Sequence, residues 1–403
     1  MGLSMKKIYT TLSQLLLAAG LINSQMALAD IPEIRADEGV IQFTQGEVLD
    51  VAITPGNNPY LLAAISFDGA VSLTADGNLI DTFEPVNALS EIVSIEVSDF
   101  KENDSSGMLL VAMADWTRFR ILLRGLDPNT GKFLELTQLS NNGIVSVPPR
   151  TTHLCFGRDI YDGSLYLFAG GDHGRFIQFR IYEESTGQIN VHELQEIVIG
   201  GPTTSCYSDD KTGLVYITEP DMGLWKVISD TEEVPLREPV ALNKPYGVLS
   251  EAISVSGLIR DDERLYMVAD ADEEAFYRIS TDGDVIDQVG FDEAFTGKLV
   301  TGSVSGIDIG SIVQNGYRQD VMAVALTGDN NNGSIALIPL ESSETAQSIH
   351  DRPLDLDVVV LTQAISDPVT GGMDAADDPA IWINPENPSE SLVLGADKGA
   401  GLG

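Results

Sequence analysis

Residues 151–170, TTHLCFGRDIYDGSLYLFAG, are echoed at residues 203–220, TTSCYSDDKTGLVYITEP. Each stretch runs Thr-Thr, a cysteine beside an aromatic residue, acids, a glycine turn, and a short apolar run with a tyrosine at its centre (Tyr166, Tyr216). Apolar–polar alternation over a few positions, bounded by Gly and Asp, is the pattern of antiparallel strands joined by tight turns. The frame returns at Ser254 in SVSGLIRDDERLYMVAD, which ends through Tyr266, and at Ser303 in SVSGIDIGS, followed by DVMAVAL. Upstream, SEIVSIEVSDF with GMLLVAMAD, and GEVLDVAITP with YLLAAISFDGAV, are two looser copies, which makes six.

A period of about fifty residues with about four strands per unit is the signature of a β-propeller. One four-stranded sheet cannot bury both of its faces, whereas in a ring each blade covers the next. The expected fold is therefore all-β, a six-bladed β-propeller over 30–345. A pair of β-sandwiches would explain the strands but not the fixed period. The 38 glycines and 18 prolines suit short strands and turns, as at Asp68-Gly69, Asp76-Gly77 and Asp282-Gly283. The two cysteines, Cys155 and Cys206, hold the same place in adjacent copies. Equivalent places on the inner strands of neighbouring blades can approach one another. Either a Cys155–Cys206 disulfide or two small buried side chains fits the repeat.

Residues 1–29 read as a signal peptide. Lys6 and Lys7 precede the apolar stretch 15–22, and Ala27-Leu-Ala29 offers a cleavage pattern. The apolar stretch is too short to span a membrane, which takes about twenty residues. A bacterial secreted or periplasmic protein is expected, a monomer with no membrane attachment after cleavage. The formal charge of −38, from 61 acids against 23 bases, excludes nucleic acid and anionic membranes as partners. A carboxylate excess serves either a solvated surface or the binding of Ca²⁺, which prefers several oxygen ligands. No Cys/His spacing resembles a zinc site, and no serine stands in a Gly-x-Ser-x-Gly setting.

Residues 341–353 are polar, and 346–353 read as a linker. A new start follows over 354–403. There MDAADDPAIWINPENP (373–388) repeats the opening of the first ring: Pro385 falls on Pro55, Leu394 on Leu62 and Gly401 on Gly69. Asp377 and Asp378 fall on Glu47 and Val48, and Lys398 on Ser66. The chain thus reads as one whole propeller and the first strands of a second, truncated one.

DAADDPAIW (374–382), with its Asn-Pro turn and a lysine ahead of Gly-Leu, resembles the opening of the β-propeller phytases. SDDKTGLVYITEPDMGLWKV (208–227), GGDHGRFIQFRI (170–181) and SGIDI (305–309) echo the same family more weakly. The resemblance implies a secreted six-bladed fold and calcium-dependent hydrolysis of phosphate monoesters of myo-inositol hexakisphosphate, of the 3-phytase type. Its partners would be phytate or lower inositol phosphates as calcium complexes. It further implies Asp374, Asp377 and Asp378 as calcium ligands or their supports, and Lys398 as a phosphate contact. The chemistry is coherent: bound Ca²⁺ reverses the local sign of an acidic surface and stabilises charge as water attacks phosphorus.

The complete ring departs from the family. Thr204-Ser205-Cys206, Asp172, Ser256, Ser305 and Thr327 stand where the family carries functional side chains. Glu219 and Asp308 are the main surviving acids, weak remnants of the pattern. The first ring is therefore expected to be degenerate and non-catalytic. In two-domain members of the family such a ring precedes a full one, and the chain as it stands is expected to show little or no turnover. The alternative is a module that binds inositol phosphates or another ligand without catalysis. Arg118, Arg120 and Arg124 are then either phosphate contacts or ordinary strand arginines. Asp270–Glu274 is either a structural Ca²⁺ loop or a solvated acidic turn.

Overall fold

A computed structural model of the chain describes residues 34–340, apart from short stretches of which 101–107 and 296–301 are the longest, together with 376–382, 392–397 and 401–402. The expected leader (1–29) and linker (346–353), and with them Asp374 and Lys398, lie outside the described residues. The chain divides into a unit ending at Gln347 and a second from Ser348.

The first unit is six antiparallel sheets, and the copies read from the sequence are its blades. Their inner strands are Val48–Ile53, Ile92–Asp99, Thr151–Arg158, Ser205–Asp209, Ala252–Arg260 and Ser303–Gln314. Each pairs with the next strand outward, and blades 1 to 5 run in sequence order. Every inner strand packs against the inner strands of the preceding and following blades, and the sixth returns to the first. This cycle makes the sheets a six-bladed β-propeller.

The core follows from that geometry. Alternating strand residues face the two neighbouring blades, so apolar side chains collect in the seams. Six buried clusters result, one per seam; Cys155, Phe168, Phe176, Cys206, Val215 and Ile217 belong to the seam between blades 3 and 4. Tyr216 and Tyr266, the central tyrosines of two repeats, meet at 3.8 Å in the next seam.

The ring closes with strands from both ends of the unit. Val40–Phe43 pairs with Gly333–Pro339, with Ile41 opposite Ile335, and Ile34–Asp37 adds outside it. Blade 6 therefore has five strands. This joins the start of the ring to its end and leaves no gap between first and last blade.

A β-bulge recurs on the inner strands of five blades, between Val48 and Asp50, Ile92 and Ser94, Thr151 and His153, Ala252 and Ser254, and Val304 and Gly306. A bulge bends the strand and re-aims the side chain that follows it.

In the second unit Ala376–Trp382 pairs with Leu392–Asp397, which pairs with Gly401–Leu402. A register shift between Asp377 and Ala380 repeats the inner-strand bulge. Matching this ladder to blade 1 puts Asp377 on Val48 and Asp378 on Leu49. The sequence alignment sets both one residue earlier. The strand ladder aligns Trp382 with Ile53, whereas more residues separate Trp382 from Leu392 than separate Ile53 from Leu61, so a match made on Pro55 and Pro385 slips.

Candidate functional site

The inner strands line the axis of the ring, and their polar side chains are spent on one another. From blade 4 onward each blade accepts hydrogen bonds from the next blade's backbone. Ser205 Oγ accepts Val255 N–H at 3.2 Å, and Ser254 Oγ accepts Ile307 N–H at 3.1 Å. Ser256 Oγ accepts Ile309 N–H at 3.1 Å and donates to Asp308 at 3.2 Å. Asp308 Oδ2 accepts Ile53 N–H across the closing seam at 2.7 Å. Asp50 Oδ2 accepts Ile95 N–H at 3.0 Å and the Ser94 hydroxyl at 2.8 Å across the next seam. These bonds satisfy inner-strand N–H groups that have no strand partner on the axial side.

At the seam between blades 3 and 4 a covalent bond takes that place. Cys155 and Cys206 form a disulfide with Cα atoms 5.7 Å apart. Of the two outcomes open to the repeat, the structure has the bonded one.

The surviving acids are both internal. Glu219 is buried. Its Oε2 accepts Trp225 Nε1–H at 2.8 Å and pairs with Arg237 Nη1 at 3.1 Å, while the guanidinium lies 4.3 Å over the Trp225 ring. Its Oε1 sits where any side chain on Gly201 would begin, 2.1 Å from an ideal Cβ, which explains the glycine. Asp308 accepts from Ile53, Ile309 and Ser256. The substituted positions are likewise absorbed. Thr204 meets Thr218 at 3.0 Å, Ser305 donates to Val48 O at 2.8 Å, Thr327 donates to Ser303 O at 3.3 Å, and Asp172 faces Arg150 at 3.8 Å.

Two further axial acids escaped the sequence reading. Asp50 follows the bulge of blade 1, and Glu96 lies two residues past the bulge of blade 2. Both alternate with apolar neighbours, as ordinary solvent-facing strand residues do, so nothing in the pattern marked them as axial. Enclosure among the blades pushes Asp50 up to about 7, with repulsion from Asp308 adding to it. Asp308 is pushed up to about 6 by burial, against its hydrogen bonds. Burial raises Glu96 well above the ordinary range, and Asp308 and Asp50 raise it further. All three keep partial exposure along the axis, which lessens the effect that full burial would have. His153, on blade 3, is held neutral by burial, down to about 3.

Among the described residues no group of three or more His, Cys, Asp or Glu converges as a metal site. Asp50 and Asp308 are engaged by backbone N–H groups and Glu219 by Trp225 and Arg237, an arrangement that does not fit a calcium cluster. Asp270 shows the same economy: it accepts N–H groups of Ser250, Glu251 and Glu273, which makes Asp270–Glu274 a hydrogen-bonded hairpin turn. Of the three candidate arginines, Arg120 is bound to Asp115 at 2.8 Å, and Arg124 bonds Leu123 O and Asn142 O while covering Phe83. Arg118 alone is exposed, in the turn Trp116–Arg118 beside Phe119. The second-unit acids are placed only by their strand: Asp377 pairs with Ala396 just before the bulge, and Asp378 lies within it.

Fold and axis together define a six-bladed β-propeller whose polar interior serves the scaffold. The Phytase family model matches residues 126–336 and again 329–403, so the chain belongs to the Phytase family, which places it among phosphate-releasing hydrolases. A comparison with curated proteins finds no match.

Proposed function

We propose that this is a secreted, calcium-dependent phytase-family protein in which hydrolysis of myo-inositol hexakisphosphate belongs to the second propeller, over 354–403, while the ring of residues 34–340 is non-catalytic. The observation that carries this is the fate of the ring's polar side chains: Glu219, Ser256, Ser305 and Asp308 all bond to the protein itself. The repeated family match from residue 329 supports a second copy of the motif. Its acids Asp374, Asp377 and Asp378 would hold Ca²⁺, which supplies positive charge against phosphate oxygens, and Lys398 would add a point charge. The disulfide suits an exported protein, since such bonds persist in oxidising compartments.

The ring of residues 34–340 should release little or no phosphate from calcium phytate, because its axial side chains are bonded to the protein itself. Rapid release in a phosphate assay would refute the assignment to the second propeller. A second reading, a binding module for inositol phosphates, is favoured by the exposed Arg118 with Trp116 and Phe119 in one turn. Calorimetry with phytate should then show binding that Arg118→Ala weakens about tenfold, the loss of roughly one charge-assisted contact. No heat from the unsubstituted chain removes this reading.

A further inference from the structure

Glu96, Ser256 and Asp308 stand two residues past the bulges of blades 2, 5 and 6, and in blade 1 that place is held by Ala52. Ala52 is buried in the seam between blades 1 and 2, so the acid that the intervening strand brings is Asp50. Asp50 also lies against blade 6: an ideal Cβ on Gly306 would be 2.7 Å from its Oδ1. The inner strands of the last, first and second blades, which pack in turn on one another, thus each carry one half-buried carboxylate, and the charges of Asp308 and Asp50 reach Glu96. Two of them are the cross-seam acceptors there, Asp308 for Ile53 and Asp50 for Ile95.

The described basic groups of the surrounding strands are engaged elsewhere, Arg264 of Glu263–Asp270 with Asp209 at 3.0 Å among them. Leu61–Ile65 and Gly69–Leu73 carry no titratable side chain. On Leu109–Asp115 the one acid, Asp115, is neutralised by Arg120. On Thr151–Arg158, His153 is neutral, and Arg158 donates to Gly163 O and Asp99 O. On Tyr317–Thr327, Arg318 donates to Gly56 O, and Asp320 accepts from Ser311. No cation faces the three acids from these strands.

We propose that Glu96, Asp50 and Asp308 form a proton-held latch on the closing seams, so that the ring loosens as the medium turns from acid to alkaline. Protonated, a carboxyl group still accepts the cross-seam N–H bonds, and like charges do not accumulate. Ionised, the three repel one another, against the hydrogen bonds and the apolar packing that hold those seams. The sign follows from linkage. A carboxylate whose folded value lies above its unfolded value holds a proton that the unfolded chain has released. Stability then falls as pH rises from about 4 through the folded values, near 6 for Asp308 and 7 for Asp50. His153 acts oppositely, but its contribution is complete above about pH 6.5, the ordinary histidine value. Asp210, in blade 4, is pushed up to about 6 by burial and adds in the same direction as the latch. A difference measured on Glu96 itself removes that background.

The test is thermal unfolding of the full chain at about pH 6 and 8.5, from the value of Asp308 to well above that of Asp50, for the protein, Glu96→Gln, and Glu232→Gln on an exposed turn as control. The unfolding temperature of the protein should fall across the window. The advantage of Glu96→Gln should grow with pH, reaching about 3 °C at the alkaline end, and Glu232→Gln should track the protein. Asp50→Asn, which keeps its acceptor oxygen for Ile95, should show the same growing advantage and serves as the readout if Glu96→Gln does not fold. An unfolding temperature level across the window, or an advantage of equal size at both pH values, overturns the latch.

Discussion

Breaking the Cys155–Cys206 bond should lower the unfolding temperature of the ring by about 10 °C. The bond closes a loop of 51 residues in the unfolded chain. Loop-closure entropy for that length corresponds to about 4 kcal/mol, and for a domain of a few hundred residues each kcal/mol moves the midpoint by roughly 2–4 °C. Both cysteines are buried in the seam between blades 3 and 4. Replacement by alanine would add a packing loss to the entropic one. Reduction separates the two, because free thiols still fill the seam. Melts of the oxidised and the fully reduced protein should differ by most of the stated shift, and Cys155→Ala with Cys206→Ala should fall slightly lower than the reduced protein. Oxidised and reduced melts within about a degree of each other would show that the bond constrains nothing the seam does not already hold.

The blades were legible because the repeat is carried by residues with hard local requirements. The turn glycines and the tyrosines at 166, 216 and 266 recur because each blade packs on the next in the same way. Ring closure was not legible. Val40–Phe43 reads as one more short strand, and nothing local says that its partner, Gly333–Pro339, lies at the other end of the unit. The site divided along the same line. That family side chains are replaced at Ser256 and Ser305 shows in the sequence. What the replacements do is a tertiary fact: they cap N–H groups or carbonyls of the next blade. Glu219 looked like a survivor of the family's acids, yet its partners Trp225 and Arg237 lie on two other strands or turns of its blade. Asp50 and Glu96 were missed because strand alternation separates one face from the other but does not separate an axis from bulk solvent.

A single methyl group at Gly257 should destabilise the ring by about 3 kcal/mol, toward the upper end for overpacking a close-packed core. Gly257 lies on the inner strand of blade 5, opposite Tyr266. An ideal Cβ there would stand 1.9 Å from Tyr207 Cζ and 2.2 Å from its Cε1 and hydroxyl oxygen. The tyrosine of blade 4 thus occupies the volume that any other residue would need. Its ring has little room to withdraw, since Tyr207 packs against Tyr266 at 6.1 Å and Tyr266 against Tyr216 at 3.8 Å. Gly257→Ala should lower the unfolding temperature by roughly 6–12 °C. The cause is checked by a cycle with Tyr207→Leu, which shortens the intruding side chain. Tyr207→Leu should itself be destabilising, but adding Gly257→Ala to it should cost less than 1 kcal/mol, roughly the scale of a volume-conserving swap, leaving a coupling of about 2 kcal/mol between the two sites. Additive effects would mean that the methyl group is refused by the backbone of blade 5 and not by the tyrosine across the seam.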